Sequence, residues 1–465
     1  MASIPKLSGQ STPTNKANHT VFLVHGLWGN ATHLSFVAQA LQDKYSEEEL
    51  IVVACRSNPG SLTYDGIEVG AERVAREIEE KLDELNRHGY KITRFSIVGY
   101  SLGGLVARYA IGLLYHKGYF DKLTPVNFTT FVTPHLGVRT PLIGYSNHLW
   151  NVLGARTLST SGRQLFTIDS FRSTGRPLLS VLADPQSVFI SALAKFEHRS
   201  LYTNIVNDLS AVFYTTGISR CDPFTNLSKV DLRYVKGYEP VILDPDNPVE
   251  RKSQNKLPSF YERFRDRGRT FLGRIPIYLA LLVIVPIATV AFLINSGIQT
   301  FRSRRRIQLH ETDPEGAGFG VYRIPYMVRE MRVGLEDAFE NMNSAQEQEY
   351  LPEGSQELAS TSDSISSSPY LSRLDDLLER EKSDAGMLKK EPLTSERPLD
   401  FPTLALTSDQ FAMIKSLNDV GFRKYPVHIT KSSHSHAAII VRTPRSAFEE
   451  GKVVVKHWLE NEFHI

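Results

Sequence analysis

Cysteine is nearly absent: Cys55 and Cys221 are the only two among 465 residues. A disulfide scaffold and a CxxC-type zinc site are thereby excluded, and a reducing compartment is favoured over an oxidising one. A charge imbalance is missing too. Lys and Arg number 53 against 51 Asp and Glu, a net charge of +2, so bulk charge gives no reason to expect a nucleic-acid partner. Residues 1–18 are polar, with Pro5 and Pro13 and no apolar core, so no secretory signal is expected and this end reads as a flexible N-terminus. No internal repeat is found. What is there is 41% hydrophobic and 22% charged, the make-up of a globular chain long enough to bury a large core.

Short β-branched apolar runs alternate with amphipathic stretches over the first third. Thr20–His25, Leu50–Cys55, Arg94–Gly99 and Val126–Val132 read as buried parallel strands. Between them, Thr32–Tyr45, Gly70–Arg87 and Leu105–Tyr115 carry apolar residues at helical spacing. This alternation predicts a doubly wound α/β fold. From about 137 to 200 the pattern breaks into helical pieces, Leu142–Leu153 and Ser187–Phe196, which read as an inserted helical cap. Leu201–Val206 and Val212–Thr216 read as strands again, and a core-type pattern extends from 19 to 273. Ordered patterns return over 401–465, at Phe411–Leu417, Tyr425–Thr430 and Ala437–Val441, with a last helix at Val453–Glu460.

Gly99-Tyr100-Ser101-Leu102-Gly103 fits G-x-S-x-G between a strand and a helix. In that setting the serine sits on a tight turn where flanking side chains would collide, and the helix N-terminus favours developing negative charge. Ser101 is therefore the candidate nucleophile; its bland alternative is a helix N-cap. His25-Gly26-Leu27 follows the first strand, and the backbone N–H groups of Leu27 and Leu102 are the candidate oxyanion donors, each worth about 3 kcal/mol of barrier. His25 precedes the serine and reads as structural, because hydrolases with this elbow order their residues Ser, acid, His. Asp208 ends the run LYTNIVND and is the candidate acid, with Asp222 as rival. No histidine occurs between Asp208 and Ile275, which leaves His310, His428, His434, His436, His457 and His464 as bases. His436 is preferred, with His434 second. Too few carboxylates or cysteines surround this pair for a metal, and no cofactor is expected.

Ile275–Phe301 is uncharged and long enough to cross a bilayer at about 20 residues per span. It defines a hydrophobic membrane segment over 274–302. Arginines flank both ends, Arg263 to Arg274 before and Arg302 to Arg306 after, as expected when both ends stay on the cytosolic side. Chain order makes the same demand. Ser101 and Asp208 precede this segment and every credible base follows it, so a single crossing would separate them. Pro286 near its middle could divide it into two arms of roughly 18 Å, each a dozen residues long. Residues 341–400, rich in Ser, Glu, Asp and Pro, read as a disordered insert.

Taken together, VFLVHGLWGN, SIVGYSLGGLVARYA, the FVTPHLG segment at Phe131–Gly137, SGRQLF at Ser161–Phe166 and LYTNIVNDLSAVFYTT resemble the fungal serine esterase family of α/β-hydrolases. The resemblance covers about Asn18–Thr216, and HSHAAIIVR near the end is consistent with it. Length and the internal apolar segment are most similar to its lipid-droplet phospholipase branch. It implies an α/β-hydrolase fold and deacylation of glycerophospholipids, or alternatively of acylglycerols, at a lipid droplet or endoplasmic reticulum membrane with the catalytic part facing the cytosol. Tyr100 stands where many relatives carry His, a departure expected to alter substrate contacts. Two other classes compete: a non-catalytic membrane tether with a hydrolase fold, and a thioesterase or peptidase acting on soluble substrates.

Overall fold

β1 (His19–Val24) is buried along its whole length, and its side chains divide between two cores. Phe22 and Val24 enter one, Val21 and Leu23 the other, as the two-residue period of a strand requires. β3 (Arg94–Tyr100) divides in the same way, with Phe95 and Ile97 opposite Val98 and Tyr100. Strands buried on both faces need helices above and below. The computed structural model, which describes residues 16–138, 159–208, 210–251, 297–298, 300–308, 350 and 401–465, supplies them.

Six strands form one sheet in the order β2-β1-β3-β4-β5-β8, every neighbouring pair parallel. The remaining members are β2 (Leu50–Ala54), β4 (Thr124–Phe131), β5 (His198–Asn204) and β8 (Arg423–Val427). Two short strands, β6 (Val230–Leu232) and β7 (Val249–Arg251), make a separate antiparallel ribbon. α1 (Ser35–Lys44) packs Val37 and Leu41 on one face of the sheet, joined there by Val454, Val455 and Trp458 of α10 (Glu449–Asn461). α2 (Ile67–Arg87) and α3 (Leu102–His116) cover the other face, in one core with Leu165 of α4 (Ser159–Leu165) and Met413, Ile414 and Leu417 of α8 (Ser408–Val420). The chain thus leaves β1 for β2 on one side and returns to β3 on the other. The strand ends at that reversal open a crevice, the usual ligand position in such sheets. This is the α/β-hydrolase architecture that the resemblance implies.

Four expectations change. Val212–Thr216 is not a strand; α7 (Phe213–Thr216) is a helical turn. Its β-branched composition is overruled by Asp208, whose side chain accepts from the backbone N–H of Ser210 (3.2 Å) and Ala211 (2.9 Å) and turns the chain. The stretch expected as a cap over 137–200 is divided. α5 (Leu178–Leu182) and α6 (Val188–Ala194) pack with α3 as the β4–β5 crossover, while β5 already begins at His198. Residues 16–18 join the fold instead of a flexible N-terminus: Ala17 is buried and the Asn18 carbonyl accepts from Thr93 and Arg94. Within the expected insert, Tyr350 bridges to Leu404. The rest of that insert over 341–400, the helical piece over 142–153, His310 and residues 275–296 of the apolar segment lie outside the described residues. Among the described residues, no helix is long and apolar enough to cross a membrane.

Two histidines on this frame are held neutral. Burial, with a lesser contribution from Arg94, lowers His19 from 6.5 to about 3. Burial first and Arg423 second lower His457 to about 4. The unfolded chain binds protons below about pH 6.5 that the fold refuses, so their contribution is complete above that pH and lost as pH falls towards 4. The urea midpoint is expected to fall between pH 7 and pH 4.5, less steeply in His457→Gln. Identical slopes for the two proteins would contradict this assignment.

Candidate active site

Ser101 leaves β3 and caps α3 with φ 54 and ψ −128, a conformation that costs a non-glycine residue about 1–3 kcal/mol. Neighbouring backbones hold it there. A Cβ on Gly103 would lie 2.2 Å from the Val24 carbonyl oxygen, and one on Gly26 would lie 2.7 Å from Ser101 Cβ. The glycine spacing therefore lets the elbow and the loop after β1 approach to contact distance. The Ser101 N–H donates to the Phe131 carbonyl at 2.9 Å, tying the elbow to the end of β4 as well.

The other side chains arrive from the far edge of the sheet. Asp208 follows β5, and His436 lies in α9 (Ser435–Ala438), the short helix after β8. His436 Nε2 is 2.9 Å from Ser101 Oγ, and His436 Nδ1 is 2.9 and 3.0 Å from the two Asp208 oxygens. With Nδ1–H donating to the carboxylate, Nε2 is left to accept from the serine hydroxyl. Asp208 and His436 are each only 7% exposed, so water competes little for these contacts. Asn204 Nδ2 adds a further donor to Asp208 at 3.0 Å.

Hydrogen bonds brace the two loops against each other. Ser435 Oγ donates to the Val206 carbonyl (2.8 Å), and Asn207 Nδ2 donates to the Ile429 carbonyl (3.1 Å). Asn207 takes φ 59, a left-handed conformation that asparagine tolerates better than most residues. The Tyr100 hydroxyl, 2% exposed as a residue, donates to the carbonyl of His436 itself at 3.0 Å. Tyr100 lines the recess at Ser101, where altered substrate contacts were expected, and its hydroxyl also positions the histidine. Neither this bond nor the Asn204 contact was foreseen. Asn204 stands four residues before Asp208, a local spacing that could have signalled it, whereas no pattern links positions 100 and 436.

Leu27 and Leu102 border the same recess as Ser101 and His436, together with apolar Pro134, Val138 and Leu165. His25 is buried and donates from Nδ1 to the Gly26 carbonyl at 3.0 Å; burial lowers its pKa below 6.5, as fits a structural residue. The rivals make other contacts. Asp222 accepts from the Phe224 N–H at 3.0 Å within its own turn, and the His434 N–H is bonded to Ser432 Oγ at 3.0 Å. His428 is 2.8 Å from the Tyr234 hydroxyl, His457 is 2.8 Å from that of Tyr202, and His464 stacks on His198. No group of three His, Cys, Asp or Glu that could hold a metal occurs among the described residues.

Residues 14–223 match the family model described as "Putative serine esterase (DUF676)", a span that takes in Leu27, Ser101 and Asp208 but not His436. The chain is 30% identical over 254 residues to "Putative lipase ROG1" of Saccharomyces cerevisiae, covering 53% of this chain and 35% of that protein. It is 29% identical over 227 residues to "Putative lipase C4A8.10" of Schizosaccharomyces pombe, covering 47% and 28%. The chain thus spans about a third of the length of the curated relatives it matches. Among solved structures it is similar to "Phospholipase PlaB from Legionella pneumophila", at 17% identity and a TM-score of 0.25 over 43% of this chain and 40% of that one. It is also similar to "RedJ-Thioesterase from the Prodiginine biosynthetic pathway in Streptomyces coelicolor", at 18% identity and 0.23 over 45% and 76%.

Removing the Tyr100 hydroxyl leaves a buried carbonyl without that donor. Tyr100→Phe is expected to lose about 1–2 kcal/mol of stability in urea titration. An unchanged midpoint would mean that the bond does not hold the histidine loop.

Proposed function

We propose that this chain, whose residues 14–223 match the serine esterase family model, is a serine lipase associated with a membrane or lipid droplet, hydrolysing acyl esters of glycerophospholipids. The observation that carries this reading is the unbroken series Asp208–His436–Ser101, with contacts of 2.9 Å on both sides of the imidazole and the serine on a strained elbow.

In this mechanism Ser101 Oγ attacks the ester carbonyl carbon while His436 Nε2 takes its proton. Asp208 fixes the imidazole's orientation and stabilises its cation. The N–H groups of Leu27 and Leu102 receive the oxyanion. Collapse of the tetrahedral intermediate expels the alcohol, which takes the proton from His436 and leaves an acyl group on Ser101. Water, deprotonated by His436, then releases the fatty acid and restores the serine. His436 carries each proton in this sequence, from the serine to the alcohol and then from water back to the serine.

A lipid substrate is supported by the apolar recess at Ser101 and by the end of the apolar segment. Phe301 is 71% exposed and Ile298 47%, beside exposed Arg302, Arg304 and Arg305. Apolar side chains interleaved with arginines suit an interface that is oily within and anionic at its surface. The contact of Ser101 with His436 also favours an apolar segment that returns to the face it left, with both arginine clusters and the catalytic residues in the cytosol.

The test is fatty-acid release from vesicles of phosphatidylcholine and phosphatidylserine, from emulsified acylglycerols, and from acyl-CoA. Wild type is expected to act on the phospholipid vesicles, and Ser101→Ala to lose at least about a thousandfold in kcat. Equal release by both proteins would contradict the enzyme reading; Ser101-dependent release from acylglycerols or acyl-CoA alone would contradict the phospholipid assignment. Asp208→Asn is expected to cost about 10⁴ in kcat by favouring the wrong tautomer of His436. A loss below tenfold would remove Asp208 from the relay.

A further inference from the structure

The Asp65 carboxylate is fully buried and receives two guanidinium groups. One belongs to Arg73, two turns further on in α2, with Nη2 2.8 Å from Oδ2. The other comes from far away in the chain. Arg306, in the helical segment 300–308, places Nε 3.1 and 3.0 Å from the two carboxylate oxygens and Nη2 2.6 Å from Oδ1. This is a paired fork of the kind arginine makes and lysine cannot. The same Nη2 donates to the Ser61 carbonyl at 3.1 Å, and the Ser303 hydroxyl lies 3.4 Å from the Tyr64 carbonyl. Arg306 is 7% exposed, although its neighbours Arg304 and Arg305 are exposed. One arginine of this basic cluster is thus set into the hydrolase fold, and it follows directly on the apolar segment in the sequence.

The surface it grips is the 3₁₀ turn Gly60–Tyr64, which holds the loop beside Ser101. Thr63 Oγ1 accepts from the Trp28 N–H at 3.0 Å, and the Gly60 N–H donates to the Gly29 carbonyl at 2.8 Å. The Tyr64 ring packs on Trp28 at 6.4 Å, and Trp28 itself holds φ 54. Leu27, one of the two candidate oxyanion donors, is the residue before it. A short series of contacts therefore runs from Arg306 through Asp65 and the turn to Trp28 and the backbone of the candidate oxyanion donor.

We propose that Arg306 is a positioning residue: seated on Asp65, it clamps the 60–65 turn over Trp28, fixes the Leu27 N–H, and makes ester hydrolysis depend on docking of the segment 300–308. The proposal rests on the esterase reading above and adds a link between the end of the apolar segment and the oxyanion donor. Two arginines on one carboxylate make the link separable from folding, because without Arg306 the carboxylate retains Arg73 as its partner.

The experiment compares the full-length wild type, Arg306→Gln, Arg306→Lys and Ser101→Ala on a soluble p-nitrophenyl ester, with amide hydrogen exchange measured on the same proteins. Arg306→Gln is expected to lower kcat about tenfold with KM within about twofold, since a displaced oxyanion donor weakens the transition state and not ground-state binding. Exchange should rise at residues 26–29 and 60–66. Arg306→Lys, which retains the charge without the fork, is expected to fall between wild type and Arg306→Gln, and it carries the comparison if Arg306→Gln melts well below wild type. Unchanged kcat in both Arg306 variants would overturn the coupling, and so would lost kcat without faster exchange at 26–29. Wild-type hydrolysis no faster than Ser101→Ala would overturn the esterase reading itself, and the coupling with it.

Discussion

Ser101 and His436 meet at 2.9 Å although 335 positions separate them in the chain. Any account of this fold must close that gap, and the closure is made by sheet pairing. β8 adds to the edge of β5 in parallel, from Ser200 opposite Arg423 to Asn204 opposite Val427. That register sets the loops leaving both strands side by side, so Asp208 and His436 emerge as neighbours. The chain between them can be long at little cost, because each doubling of a flexible loop adds only about 0.6 kcal/mol of closure entropy. A large insertion between acid and base is therefore compatible with the site, provided that it leaves and returns at the same edge.

The buried charges are handled by two different means. At Asp208 a single carboxylate is surrounded by donors: the imidazole, Asn204, and the N–H groups of Ser210 and Ala211. At Asp65 the carboxylate is matched by two cations from distant parts of the chain. Buried histidines away from the site take a third course and stay neutral. His135, wholly buried, is held well below 6.5 by burial first and by the nearby Arg108 second. Arg108 itself, lowered to about 9 by burial, donates to the Leu182 carbonyl at the end of α5 and so ties the β4–β5 crossover to the elbow helix. Removing the sole partner of a buried charge costs more than the net worth of the bond, whereas at Asp65 the second arginine keeps the carboxylate paired.

The sequence conveys the parts of this arrangement that are local. The strands are legible because both faces of the inner parallel strands are buried, which produces apolar runs such as TVFLV, and half-buried β2 at the edge keeps one in IVVA. The elbow is legible because close backbone approach demands Gly103 two residues after the serine. Asp208 and His436 could be narrowed by their order in the chain, but only the β5–β8 pairing brings them together. Val212–Thr216 was misleading because its composition favours a strand while the Asp208 side chain, a few residues earlier, bends the backbone into a turn. The cap expected over 137–200 meets a related ambiguity: an amphipathic helix looks the same whether it covers a site or crosses a sheet. Tyr100 to His436 and Arg306 to Asp65 are long-range contacts with no local signature, and no pattern in the chain would have suggested them.

The central claim is that Ser101, activated by His436, is the nucleophile of acyl transfer. The most direct measurement is covalent trapping with a fluorophosphonate, followed by mass-spectrometric mapping of the adduct in wild type and His436→Ala. The account predicts one adduct, on Ser101, formed rapidly in wild type and nearly absent in the variant. An adduct on another residue, or equal labelling of Ser101 in both proteins, would contradict it.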